Sequence, residues 1–283
     1  MVIISDIVLK HFFSKHMLHD ILCDDNKLFD NVVKRYAQKT EGKTYYELID
    51  EVYAHIGKEY RTEYFYKNTL LNELLFRSRD YKSTSALTEL PVGKAKADFI
   101  TINGGAVVYE IKTELDNLDR LQCQIREYYK AFTEVVIVTH SGYIERVANL
   151  VPAYVGIIEL TKGRELKTVR EAAAHADELD AATIFRLLRK KEFESILLRS
   201  GRALPAVNQF IYYRQCFDLL QQMPIELFQE EMQKELKKRV KVKQAEFCLS
   251  TPKSLRCLTY FDNRLSKEPE VLSEKLGQIY RRG

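Results

Sequence analysis

The chain has no apolar run long enough to cross a bilayer. Its amino-terminal stretch, MVIISDIVLKHFF, is broken by Asp6 and Lys10, so no signal peptide is read there. Paired cysteines are also missing. The five cysteines, Cys23, Cys123, Cys216, Cys248 and Cys257, are scattered, with no Cys-x-x-Cys pair and no zinc spacing. A disulfide framework is therefore not expected, and free thiols in a reducing cytoplasm are. Internal repeats and low-complexity tracts are absent, which excludes solenoids and disordered tails. A strong charge of either sign is missing too. The net charge of +4 permits nucleic-acid binding but does not require it, so any basic surface must be local.

What is present describes a globular protein. Hydrophobic residues make up 46% and charged residues 30% of the 283 positions, enough for one large domain or two ordinary ones. Residues 1–60 read as helical, with a capping box at Thr44-Tyr45-Tyr46-Glu47 opening a helix through Tyr60. Arg61 to Phe76 reads as a further helix, and Leu87 to Val92 as a strand in which Pro91 marks an edge or a strand end. After the central region come Val135-Val136-Ile137-Val138, a helix from Tyr143 to Val151, and a strand from Tyr154 to Leu160. Residues 166–180 read as a linker or edge element, and helices follow over Ile184–Arg199, Ala206–Gln222, Ile225–Val240 and Pro269–Tyr280. This order predicts an α/β protein: a mixed β-sheet core flanked by helices, with helical N- and C-terminal regions. The expected divisions are 1–60, 61–170 and 171–283.

The informative stretch is Lys94 to Tyr128. Lys96 to Ile102 and Ala106 to Ile111 are apolar strands joined by Asn103-Gly104-Gly105, the signature of a β-hairpin. Asp98, Glu110 and Lys112 stand within them. Charged groups in apolar strands are costly unless they are paired or bind a metal. A two-residue turn would set Asp98 opposite Tyr109; a loop of Asn103, Gly104 and Gly105 sets it opposite Glu110, with Lys112 on the same face. Glycine supplies the positive φ that such a loop favours, so the second register is expected.

Two facing carboxylates offer hard oxygen ligands to Mg²⁺ or Mn²⁺. An ammonium beside them can orient water or stabilise developing negative charge. The plainer alternative is a structural ion pair. Glu89, not far upstream of Asp98, is a further candidate ligand or supporting acid. Lys94 and Lys96, in the basic turn before Asp98, are placed to hold a phosphate backbone. After Lys112, Asp116 is the expected N-cap of the next helix. Leu118, Leu121, Ile125 and Phe132 form its apolar face, and Arg120, Gln124 and Tyr128 recur every four residues beside it. That row either lines a cleft or is simply exposed. Lys234, Lys237, Lys238, Arg239, Lys241 and Lys243 make the densest basic cluster, a candidate nucleic-acid patch.

Asp98, the hairpin and Glu110-Ile111-Lys112 resemble the core motif of the PD-(D/E)XK nuclease superfamily. Gln124 to Tyr128 resembles the Gln-x-x-x-Tyr motif of its RecB-like members. The segment from about Arg61 to Leu160 also resembles a bacterial group of uncharacterised PD-(D/E)XK-like proteins. One departure is that Ala97 stands where the name-giving proline would be. The resemblance implies a restriction-endonuclease-like core and a Mg²⁺- or Mn²⁺-dependent nuclease acting on DNA. Asp98, Glu110 and Lys112 would carry the site and Gln124 would join it. It also implies an acid on the helix before the hairpin, for which Glu63 is a better match than Glu73. The alternative is a catalytically silent or partner-dependent nucleic-acid-binding module on the same fold, as in an antiphage or mobile-element system. A homo-oligomer or a partner protein is left open, and no membrane association is expected.

Overall fold

The computed structural model describes residues 8–9, 11–77, 80–240, 242–262, 264–265 and 269–281. The chain forms two compact units. One comprises residues 1–82, 162–166 and 241–283; the other comprises residues 83–161 and 167–240. They part at different places from the expected 60/61 and 170/171 divisions. The helix after Arg61 stays with the first unit, and the chain returns to that unit from residue 241. Among the described residues no helix is long and apolar enough to cross a membrane.

The first unit is helical. It holds α1 (Lys15–Leu22), α2 (Lys27–Tyr36), α3 (Tyr45–Glu59), α4 (Glu63–Leu71), and later α11 (Val242–Ser250), α12 (Arg256–Tyr260) and α13 (Pro269–Gly277). The expected capping box opens α3: Thr44 accepts from the Glu47 amide, and Glu47 accepts from Thr44. Phe12, Phe29, Tyr45 and Tyr280 pack ring against ring. Asn68, 1% exposed, ties α4 to the carboxyl-terminal segment by donating to the Lys253 carbonyl and accepting from the Cys257 amide. The expected helix from Arg61 begins only after Thr62 caps it, and it loosens into a π-helical turn over Asn72–Arg77.

The second unit is a mixed α/β structure. Its six-stranded sheet runs β1 (Ser85–Val92), β2 (Ala95–Asn103), β3 (Gly105–Lys112), β4 (Glu134–Thr139), β5 (Gly156–Leu160) and β6 (Leu166–Arg170), in that spatial order. β1 and β2 pair antiparallel, as do β2 and β3; β3, β4 and β5 are parallel. β1 is an edge strand, as Pro91 predicts. The residues expected to be a linker before 180 contain β6, the opposite edge.

The helices are α5 (Leu121–Tyr129), α6 (Ile144–Leu150), α7 (Ala181–Leu187), α8 (Lys190–Arg199), α9 (Gln209–Leu220) and α10 (Ile225–Lys237). α7 and α8 replace one expected helix. The break falls at Leu188 and Arg189, where Glu192 turns back to accept from the Arg189 amide. Ile100, Val108 and Ile137 of the sheet share one core with Leu118, Leu121, Ile125 and Phe132. The apolar face read on α5 is thus buried against the strands.

The hairpin has the expected register. Pairs run from Asn103 with Gly105 to Phe99 with Tyr109, and Gly104 takes φ +77° at the tip. The same register continued by one step sets Asp98 opposite Glu110.

Candidate active site

β1, β2 and β3 carry a row of three acids. Thr88 pairs with Phe99 and Leu90 with Ala97, so Glu89 stands opposite Asp98, as Asp98 stands opposite Glu110. Glu89 has φ +57° in the middle of its strand. A bulky residue in that region is strained by about 1–3 kcal/mol, and such strain concentrates at functional positions.

The centre of the site is Glu110. Its side chain is 1% exposed, and that of Lys112 is 10% exposed. Two residues apart on one strand, they share a face, and the Lys112 ammonium donates to Glu110 Oε1 at 2.8 Å. It also donates to Gln124 Oε1 at 2.9 Å. The Gln124 amide donates back to Glu110 Oε1 at 2.5 Å. The Tyr128 hydroxyl lies 2.5 Å from Glu110 Oε2 and 2.9 Å from the Lys96 carbonyl, with one proton to give. Burial first, and then the Glu110 charge, push the Tyr128 hydroxyl's pKa far up, so it stays a donor. Gln124 and Tyr128 reach Glu110 because they lie four apart on α5, one turn above the other. Tyr128 is fully buried and does not line a cleft.

Asp98 is partly buried. Its Oδ2 accepts from the Ile111 amide at 2.8 Å, continuing by side chain the ladder that the backbone pairs leave at Phe99 and Tyr109. Carboxylate oxygens of Asp98 and Glu89 lie within 4.8 Å of each other. Lys96 pairs with Glu89 on the open side of the sheet, so it neutralises an acid rather than extending a phosphate track. Glu63 opens α4 in the other unit and pairs with Lys67 at 2.6 Å; Glu73 pairs with Arg77 at 2.6 Å.

The donor set suits a hard cation. Oxygens on one octahedral Mg²⁺ stand about 3–4 Å apart, within the limit observed for Asp98 and Glu89. The Glu110 oxygens accept three hydrogen bonds, two on Oε1 and one on Oε2, which leaves one of the carboxylate's about four acceptor sites for a further ligand.

A groove opens beside this network. It has a volume of about 410 Å³ and is lined by Lys94, Arg120, Cys123, Gln124, Arg126 and Lys130, with Glu127 and Glu178. Gln124 belongs to both the groove and the acid–lysine network. Lys94 is brought there by the β1–β2 turn, where Gly93 has φ +56°. The positive φ favours glycine there, and a Cβ on Gly93 would stand 1.9 Å from Glu127 Oε2, so a larger residue would also displace that carboxylate. The Lys94 amide then donates to Glu127 at 3.0 Å. Glu127 also accepts from Lys130 at 2.7 Å, and these bonds, the lysine's first, hold its carboxyl below the usual glutamate range.

Several sequence expectations are corrected here. Asp116 does not cap α5. It accepts from Thr113 in the preceding turn, and Arg120 occupies the cap position. Glu127, on the same helix, anchors the β1–β2 turn by accepting from the Lys94 amide. The basic cluster at the end of α10 is partly paired, with Lys234 on Glu231, Lys238 on Glu235 and Arg239 on Glu192, while Arg199 shares the first two acids. Lys241 and the side chain of Lys243 lie outside the described residues. Arg126 and Lys130 in the groove went unread. Their signal was available: with Arg120 and Lys94 they flank the glutamine that the motif picks out.

Residues 57–258 match the family described as "Bacteriophage P4 protein cII". Protein cII of Enterobacteria phage P4 is 24% identical over 155 residues, which are 53% of this chain and 57% of that protein. The aligned part thus spans little more than half of the relative's length. A solved protein of unknown function from Silicibacter pomeroyi aligns at 15% identity and TM-score 0.29, over 44% of this chain and 86% of that one. The family match takes in most of the sequence, and the chain belongs to the bacteriophage P4 protein cII family.

Proposed function

We propose that this member of the bacteriophage P4 protein cII family is a metal-dependent nuclease that hydrolyses phosphodiester bonds, with DNA as its substrate. The observation that carries the reading is the buried Glu110–Lys112 pair, bonded to Gln124 and Tyr128 and in register with Asp98. Burying an acid and a lysine on a strand costs several kcal/mol per ion before pairing, and apolar residues of the same volume would fold as well or better. A reactive role accounts for keeping both. The restriction-endonuclease-like reading of the sheet is part of this proposal.

Asp98 and Glu89 would hold Mg²⁺ or Mn²⁺, with Glu110 as a further ligand. When bound, the ion supplies an acidified water and neutralises charge on a phosphoryl oxygen. The rest falls to the chain's own groups. Gln124 and Glu110 fix the Lys112 ammonium in one place. From there it orients the attacking water and stabilises charge that develops on the phosphate. Tyr128 fixes Glu110 from the far side. Lys94 and Arg120 hold the strand's backbone next to Gln124.

A second reading has its own support. With three donors on Glu110 and the Ile111 amide on Asp98, the acids are satisfied as they stand. That suits a silent or partner-dependent nucleic-acid-binding module, and the relative's phage origin fits a mobile-element setting.

Cleavage separates the two readings. Purified protein is given single- and double-stranded DNA, linear and circular, with Mg²⁺, Mn²⁺ or EDTA. Metal-dependent cleavage is expected, reduced by about 100-fold or more in Lys112→Ala and in Glu110→Gln, each checked as folded by circular dichroism. Absence of cleavage under all conditions would favour the binding module. Equal cleavage by both variants would place the activity elsewhere.

A further inference from the structure

The groove along α5 has a shape and charge that the buried acid–lysine pair does not explain. Its lining runs from Arg120, at the start of α5, to Lys130, just past the end. Ten residues of helix at 1.5 Å each span about 15 Å. Four cations (Lys94, Arg120, Arg126, Lys130) and two carboxylates (Glu127, Glu178) line it, four minus two, a net charge of +2. Glu127 is engaged by Lys130 and by the Lys94 amide. Among the described residues, the side chains of Lys94, Arg120 and Arg126 form no ion pair. The Arg126 guanidinium reaches only the Gln122 carbonyl and the Cys123 sulfur, each at 3.4 Å. These three unneutralised cations face one groove.

We infer that this groove is the track of one nucleic-acid strand, and that the protein binds single-stranded DNA in preference to duplex. The size selects the single strand. The groove is a channel about 15 Å long between Lys94 of the β1–β2 turn and one face of α5. That admits a sugar–phosphate chain. It does not admit a duplex, whose two grooves alone are about 12 and 6 Å wide. The length accommodates about two or three phosphates of one extended strand, within reach of the three unpaired cations. The groove shares Gln124 with Glu110 and Lys112, so a strand lying in it passes the proposed reactive groups. This deepens the nuclease reading by naming the form of the substrate, but the binding itself does not depend on cleavage.

The test is therefore done in EDTA with the full chain. Fluorescence anisotropy measures binding of a labelled thymidine dodecamer, and of a duplex of the same length, across a salt series. The single strand is expected to bind at least about tenfold tighter, with a slope of log K against log salt near −2, from about 0.7 per neutralised phosphate. Replacing Lys94, Arg120 and Arg126 together by Ala should lower that slope by about 2 and weaken binding at least about tenfold. Cys123 lines the groove and is exposed, whereas exposed Cys23 lies in the other unit. The dodecamer should slow alkylation of Cys123 and leave Cys23 unaffected. Duplex bound as tightly as single strand, an unchanged slope in the triple variant, or unprotected Cys123 would each overturn the inference. Tight dodecamer binding with no cleavage in Mg²⁺ would sink the nuclease reading and leave this one standing.

Discussion

Two acid–lysine pairs sit on neighbouring strands of the same sheet, and they behave as different objects. Glu89 and Lys96 pair across β1 and β2 with side chains 40% and 58% exposed. Glu110 and Lys112 pair along β3 with side chains 1% and 10% exposed. The chemistry of the two pairs is the same; their surroundings are not. Water solvates the outer pair whether or not it forms, so its contribution is small. The inner pair has exchanged water for Gln124 and Tyr128, and each member depends on the other to be tolerable in the core. An acid and a lysine therefore say little about a site until the groups around them are known.

The sharpest way to break this comparison is to remove the ammonium. Lys112→Ala leaves the buried Glu110 charge without its cation, and should lower unfolding stability by about 3–5 kcal/mol in a urea or thermal titration. Glu89→Ala should change it by less than about 1 kcal/mol, and relief of the positive φ is not expected because alanine is strained there as well. Equal losses would show that the inner pair is no more than a second surface pair.

The sequence made the inner pair readable and left its supports half hidden. The Asn103-Gly104-Gly105 turn and the parity of the two strands set Asp98 opposite Glu110, and the structure has that register. The mixed sheet and the flanking helices were legible from the alternation of short Val- and Ile-rich strands with amphipathic stretches. Asp116 misled, because its carboxylate bonds back to the Thr113 amide and hydroxyl, which competes locally with helix capping. Glu127 also misled. A polar residue on a helix face looks solvated until a turn from elsewhere in the chain packs on it, and sequence periodicity holds no record of Gly93 doing so. The basic cluster on α10 was overread for the same reason: its partners, Glu192 above all, are far away in sequence. Charge density along a chain counts cations, and it does not count the acids that the fold brings to them.

A smaller perturbation sharpens the comparison from the acid's other side. Tyr128→Phe keeps the ring in its buried place and deletes only the donor to Glu110 Oε2. The unmatched oxygen should cost about 1–3 kcal/mol, read from the same titration. The Tyr128 hydroxyl's pKa lies far above the usual tyrosine range, so the loss should not change between pH 6 and 9. A loss near zero would mean that Gln124 and Lys112 alone satisfy the carboxylate, and that Tyr128 serves Lys96 instead.

The smallest effect lies in a third pair, intermediate in exposure. Glu127 and Lys130 have side chains 15% and 38% exposed. The bonds from Lys130 and the Lys94 amide depress the Glu127 carboxyl. A depressed acid contributes stability that is present above its unfolded pKa of about 4.3 and is lost as pH falls through the lower folded value. The stability difference between wild type and Glu127→Gln should therefore be level from pH 7 to 5 and shrink on further acidification. Because the pair is partly screened by water, the shift should be a few degrees in melting temperature at most. A difference that persists unchanged to pH 3 would show that the neutral glutamate holds the β1–β2 turn as well as the anion does. The link between Lys94 and α5 would then rest on the close approach of Gly93 rather than on charge.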